Sequence, residues 1–227
     1  MKVSSEFSKY AKHYEDNNVI QNMVIDKLLS LSSSQPKEIL DLGCGSGALC
    51  KKIGWNYNHF IGVDFAKGML ELHPKSSKIK PIYGNFNDKE LFHHLQTYDF
   101  ERIFSASALQ WADDLDGVFE QIKKLDAPIS LAIFSANTFK TLNKTASLEP
   151  LLKSVDEVLN LQKKYFDAKF EVVNYTLEFD STRDMFKYIK QSGVSGSRSV
   201  LSYKDTKKLM AEYPLNYLEF EVLFLYN

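Results

Sequence analysis

The chain has 227 residues, 44% of them hydrophobic, which is the length of one domain with enough apolar material for a sizeable core. Its net charge of −1 excludes a globally basic surface, so nothing global points to nucleic acid. No apolar run is long enough to cross a membrane, and the first residues, MKVSSEFSKYAKHYEDNN, lack the apolar core of a secretory signal, so a cytoplasmic protein is expected.

In chain order, Glu6 to Leu31 reads as two helical pieces broken near Asn17-Asn18. Val19, Met23, Ile25, Leu28 and Leu29 give the second piece an apolar face. Phe7, Ala11, Tyr14 and Gln21 stand out in FSKYAKHYEDNNVIQ. They either cover the core or lie over a bound ligand, with the Tyr14 hydroxyl reaching it. Ser32 to Pro36 is a connector.

Lys37 to Lys51, KEILDLGCGSGALCK, is the most informative stretch. A strand, Glu38 to Leu42, runs into a turn with Gly43, Gly45 and Gly47, and a helix starts near Gly47. Glycine permits positive φ and lets a ligand approach the main chain. A strand, a glycine turn and a helix N-terminus make a nucleotide-binding corner. Gly43, Gly45 and Ala48 also match a dinucleotide fingerprint, a weak pattern taken alone. Asp41, two residues before Gly43, argues for a different ligand. A carboxylate repels a pyrophosphate and attracts an ammonium or a sulfonium. S-adenosyl-L-methionine carries both cations. Cys44 and Cys50 flank the turn without C-x-x-C spacing or a His cluster, so reduced thiols and no metal are expected.

A second strand, Asn58 to Asp64, ends in an acid. Asp64 has the spacing from Gly43 at which a carboxylate accepts from ribose hydroxyls. Alternatively it caps a helix over Ala66 to Leu72. Met69, in that helix, falls where an apolar side chain packs against adenine. Lys78 to Gly84 is the third strand, followed by Asn85 and Phe86, with Asn87 expected to cap the next helix through Glu90. Phe86 is placed to lie against the adenine ring.

Phe100 to Ser107 is the fourth strand; Ser105 and Ala106 at its end are expected near the sulfonium. Trp111 is either a core aromatic or part of the acceptor wall. A helix over Asp113 to Lys124 and a fully apolar strand over Ala127 to Ala136 follow. Beyond them are a helix over Leu148 to Phe166, a strand over Phe170 to Asp180, capped helices starting at Ser181 and Ser202, and a last strand over Leu218 to Tyr226.

The D-x-G-x-G-x-G spacing from Asp41 resembles motif I of the class I methyltransferases. The N-terminal Phe7, Ala11, Tyr14 and Gln21 pattern is similar to the malonyl-ACP O-methyltransferase family of biotin synthesis. So are ALQW at Ala108 to Trp111, YIKQSGVSG from Tyr188 and YPLNY from Tyr213. The resemblance implies an α/β, Rossmann-like fold: a seven-stranded, mostly parallel sheet with an antiparallel last strand, helices on both faces and a small helical lid. It implies a single domain over 1–227, with residues 1–32 as a helical cofactor cover and 137–212 as an acceptor region holding one strand. Asn85 stands where many methyltransferases have an Asp that holds the adenine amino group, and its amide oxygen accepts the same bond. Q-S-G-V-S-G departs from the family's usual turn in the acceptor region.

The implied reaction moves a methyl from S-adenosyl-L-methionine to the free carboxylate of a malonyl thioester on acyl carrier protein. The alternative acceptor is another small carboxylic acid. A carboxylate is already ionised at neutral pH, so no general base or catalytic cluster is expected. Tyr14 and Trp111 would position the reactants. Lys187, Lys190 and Arg198 are candidates to hold the acceptor carboxylate, or else belong to a solvated basic face. Ser181 to Met210 carries seven cations against Asp184 and Asp205, an excess suited to an acidic carrier protein.

Overall fold

In the computed structural model the described residues are 18–32, 34–191 and 202–227. Phe7, Ala11, Tyr14 and Arg198 lie outside them, as does the side chain of Lys190.

Seven strands form one sheet in the order β3-β2-β1-β4-β5-β7-β6. They are β1 (Glu38–Leu42), β2 (His59–Asp64), β3 (Ile79–Tyr83), β4 (Arg102–Ala106), β5 (Ile129–Phe134), β6 (Lys169–Glu178) and β7 (Tyr217–Tyr226). The first five pair in parallel. β7 runs antiparallel to both β5 and β6, as expected. Every residue of the central strand β5 is buried, the pattern of a strand covered on both faces.

Helices α1 (Val19–Ser30), α2 (Ala48–Lys52), α3 (Lys67–Leu72), α4 (Lys89–Leu95), α5 (Leu115–Lys123), α6 (Lys140–Thr145), α7 (Val155–Gln162), α8 (Thr182–Gln191) and α9 (Tyr203–Glu212) complete the layers. On one face Leu40, Leu42, Ile103 and Leu131 pack with Phe92 of α4, Phe119 of α5 and Val158 of α7. On the other, Ile39, Phe60, Phe104 and Phe220 pack with Ile20 and Val24 of α1, Leu49 of α2 and Met185 of α8. Strand alternation puts Asp41 on the same side as Ile39, towards α1. The chain reverses direction across the sheet between β1 and β4, which opens a crevice at their C-terminal ends.

Two local expectations are corrected. Asp88, not Asn87, caps α4: its Oδ1 accepts from the Glu90 N–H at 3.0 Å. Asn87 Oδ1 instead accepts from the Asp113 N–H at 2.9 Å and ties two loops together. The helix expected over Leu148 to Phe166 is confined to α7, with Leu151 left 48% exposed. Pro150 lacks an N–H and keeps the residue before it extended. The chain becomes helical only after Ser154, whose Oγ accepts from the Glu157 N–H while Glu157 returns a bond to the Ser154 N–H. The short helix α6 carried no strong periodic signal in the sequence.

The layer model makes a paired prediction. Phe104→Ala removes a ring that is 0% exposed and costs about 3–5 kcal/mol in urea unfolding. Phe170→Ala, at a site 54% exposed on edge strand β6, changes stability by at most about 0.5 kcal/mol. Equal costs would contradict this placement of the core.

Candidate active site

The site is built where β1 turns. Gly43, Gly45 and Gly47 have φ of 78°, 54° and 81°, values that L side chains rarely adopt. The Gly43 and Cys44 N–H groups donate to the Val63 carbonyl at 2.8 and 3.0 Å, which draws the turn against β2. A Cβ on Gly43 would lie 2.1 Å from the Cβ of Ala108, so strand β4's exit closes over this glycine. A Cβ on Gly45 would meet no atom within 4 Å; open space lies beside it. Gly47 caps α2, and a Cβ there would run into Pro74.

Asp64, at the end of β2, fastens the turn. Its Oδ2 accepts from the Gly45 N–H at 2.9 Å and its Oδ1 from the Ala66 N–H at 2.7 Å. Burial raises its pKa, while the N–H groups of Ala66, Gly45 and Phe65 pull it down. Three N–H groups on a carboxylate with about four acceptor sites leave capacity for a ligand hydroxyl. The N-cap of α3 itself is Ala66.

Two cavities share Gly43, Gly45 and Ala106. One, of about 490 Å³, is lined by Asp64, Phe65, Met69, Phe86, Ala108 and Trp111 among others. It is apolar apart from Asp64 and Ser107. The other, of about 410 Å³, lies between α1 and the turn and is lined by Asn18, Gln21, Asp41 and Ser46. Asp41 is 2% exposed and its Oδ1 has no hydrogen-bond partner; the same holds for Gln21 Oε1. Burial, and then the negative charge of Asp64, push the Asp41 pKa up from 3.8 to about 8.

Of the residues singled out in the sequence, Gln21, Asp41, Gly43, Gly45, Asp64, Met69, Phe86 and Trp111 meet around these two cavities. Others do not. Ser105 is fully buried, and its Oγ donates to the Leu42 carbonyl at 2.6 Å. Asn85 is exposed and its Oδ1 accepts from the Asn87 N–H and side-chain amide. Lys187 is exposed on α8 and lines neither cavity. Cys44 and Cys50 are free and buried, and of the two Cys44 lines the cavity that holds Asp41.

Ser107 was not singled out from the sequence, yet it lines the larger cavity. Its φ of 62° is unusual for a residue with a side chain, and Gln110 Nε2 holds its carbonyl at 2.7 Å. Asn18, Phe65 and Ser46 join the lining in the same way, through folding rather than motif. Only the glycine-rich turn before Ser46 hinted at any of them.

The turn geometry predicts unequal glycine substitutions. Gly43→Ala forces a clash as well as an unfavourable φ, and lowers ligand affinity at least about tenfold, as losing a positioned contact set does. Gly45→Ala meets no protein atom, so in the ligand-free protein it costs only the left-handed backbone, about 1–2 kcal/mol. Melting curves and binding titrations of the two variants check this; a milder effect at Gly43 would contradict it.

Comparison with known proteins agrees with the geometry. Residues 39–128 match the sequence family described as a methyltransferase domain. Malonyl-[acyl-carrier protein] O-methyltransferase 2 of Ilyobacter polytropus is 27% identical, covering 95% of this chain and 90% of that protein. A putative methyltransferase from Bacillus halodurans superposes with a TM-score of 0.63 at 10% identity, covering 89% of this chain and 96% of that one. Phosphoethanolamine N-methyltransferase 2 of Haemonchus contortus, solved in complex with S-adenosyl-L-methionine, gives a TM-score of 0.58 at 15% identity. That match covers 96% of this chain and 56% of the other.

The residues present fit that cofactor. The orphaned Asp41 carboxyl suits a cation, and the side-chain-free surface at Gly45 leaves room beside the turn. Asp64 offers acceptor lone pairs to a sugar. Residues 39–128 thus match a methyltransferase domain, in a chain with the α/β fold of the class I S-adenosylmethionine-dependent methyltransferases.

Proposed function

We propose that the protein methylates the free carboxylate of malonyl-acyl carrier protein, giving the methyl ester that enters biotin synthesis. The observation that carries this reading is the likeness to a malonyl-acyl carrier protein O-methyltransferase over 95% of the chain, its later third included. S-adenosyl-L-methionine, when bound, supplies a methyl group on a positively charged sulfur.

In this reading Asp64 accepts from the ribose hydroxyls, and Met69 and Phe86 flank the adenine in the larger cavity. Asp41 and Gln21 face the amino-acid end in the other. Gly43, Gly45 and Ala106 line both cavities, which supports a sulfur position close to the exit of β4 in this reading. Ser105 supports that exit from behind through its bond to Leu42, and Asn85 contributes by shaping the loop before Phe86.

Methyl transfer to a carboxylate cancels one positive and one negative charge. A water-poor site favours such a reaction, because the separated ions lose solvation that the transition state needs less. Ala106, Ala108, Phe86 and Trp111 make the wall there apolar. The acceptor is already ionised, so the protein has no proton to move, and in-line positioning is its main contribution, worth up to about 7–11 kcal/mol.

The carrier protein is the proposed partner. Arg183 and Lys187 on α8 and Lys204, Lys207 and Lys208 on the neighbouring α9 are exposed. Such a basic face suits an acidic carrier and raises the encounter rate at low salt. Lys187, Lys190 and Arg198 remain the candidate grips for the malonyl carboxylate, with Tyr14 and Trp111 as positioning groups.

A side-by-side assay with S-adenosyl-L-methionine tests the reading. Malonyl-acyl carrier protein should be methylated and free malonate should not. Rapid methylation of free malonate or another small acid, with the carrier form inert, would replace the acceptor. Asp64→Ala should weaken cofactor binding about tenfold or more, the scale of one charged hydrogen bond. Unchanged affinity would overturn its placement at the ribose.

A further inference from the structure

The carboxyl of Asp41 is walled in by groups that cannot neutralise it. Among the described residues, the ionisable groups acting on it or feeling its charge are Asp64 at the end of β2, Cys44 in the turn and Cys50 on α2. From α1 the same cavity receives Asn18 and Gln21, both uncharged. From β4 it receives Ala106. None of these brings positive charge, and Asp64 brings a negative one.

The contrast with Asp64 is instructive. Asp64 is also buried, at 7% exposure, yet backbone N–H groups bond to both of its oxygens. Asp41 Oδ1 takes none. A buried carboxylate with an oxygen that takes no donor, and with no cation among the described residues around it, is strongly disfavoured, and the group keeps its proton instead.

We propose that Asp41 is a proton-exchanging anchor, neutral in the ligand-free protein and ionised only when the positive end of a bound ligand occupies the cavity between α1 and the glycine turn. The inference rests on the cofactor reading above. Its proton passes to solvent as the cation arrives, so charge in the cavity is conserved. The same device discriminates against anionic ligands, since a phosphate brings nothing that would take the proton's place.

The direction with pH follows. Between 3.8 and about 8 the folded, ligand-free protein holds a proton that the unfolded chain has lost. Stability without ligand therefore falls as pH rises through that window. A cationic ligand lowers the Asp41 pKa, so affinity rises with pH through the window and levels above it. The ligand's own α-amine titrates at about 7.7–8.0, with the opposite sign, so the test belongs below that range.

The experiment is calorimetric titration with S-adenosyl-L-methionine at about pH 7 in phosphate, HEPES and Tris, whose ionisation enthalpies differ. The observed enthalpy should vary with buffer as required by release of about one proton, with affinity rising up to about tenfold between pH 6 and pH 7. Asp41→Asn should abolish the buffer dependence. Binding by the unsubstituted protein without proton release would overturn the anchor and leave the cofactor reading standing. Absence of any binding would overturn both. A measurement without ligand stands beside it: Asp41→Asn should be more heat-stable than the parent at about pH 8.5, and that advantage should shrink towards about pH 5. Parallel melting profiles across that range would also overturn the proposal.

Discussion

The carboxylate of Asp64 is the joint on which the site depends. One side chain at the end of β2 holds the Gly45 N–H of the turn after β1 and the Ala66 N–H that opens α3. The turn is locked from behind as well, because the Val63 carbonyl accepts from both Gly43 and Cys44. Two neighbouring strands therefore share one backbone unit at their C-terminal ends. The three left-handed glycines follow from that constraint, since no residue with a Cβ would make the turn this tight at low cost.

The joint also divides the space around it. On one side lies an apolar chamber with an acid at its rim; on the other lies a small polar chamber with an uncompensated acid inside. Asp41 and Asp64 sit one on each side, and the charge of Asp64 adds to burial in raising the cost of ionising Asp41. A ligand with a neutral, hydroxyl-bearing end and a cationic end matches both chambers. Electrostatic preorganisation of this kind is expensive in the empty protein and is offset when the ligand arrives.

Most of the sheet was legible in the sequence because its strands are short apolar runs ended by glycine or an acid. EILDL and HFIGVD are strands with the boundaries, or nearly the boundaries, that their patterns suggested. The glycine turn was legible because three glycines at alternate positions after a strand mark a nucleotide-binding corner, and Asp41 before them separated the two ligand classes that such a corner serves. The later third was harder. Leu148 to Phe166 is rich in leucine, but Pro150 and the Ser154–Glu157 capping box outweigh that periodicity and delay the helix. Within the site, residue type alone misplaced the contacts of β4's exit. Ser105 and Ser107 are chemically identical and alternation alone would put them on one face; β4 ends at Ala106 and the positive φ of Ser107 turns it away, so that only Ser107 lines the cavity. Nothing in the sequence shows that Asn85 spends its side-chain oxygen on Asn87, or that Asp41 lacks a donor, because both depend on neighbours brought in by folding.

The central claim is that one ligand spans both chambers across the glycine turn. A crystal structure with S-adenosylhomocysteine tests it most directly. The account predicts the ribose on Asp64, the adenine between Met69 and Phe86, and the ammonium on the Asp41 side of Gly43 and Gly45. A ligand held wholly in one chamber, or lying in the reverse direction, would contradict it.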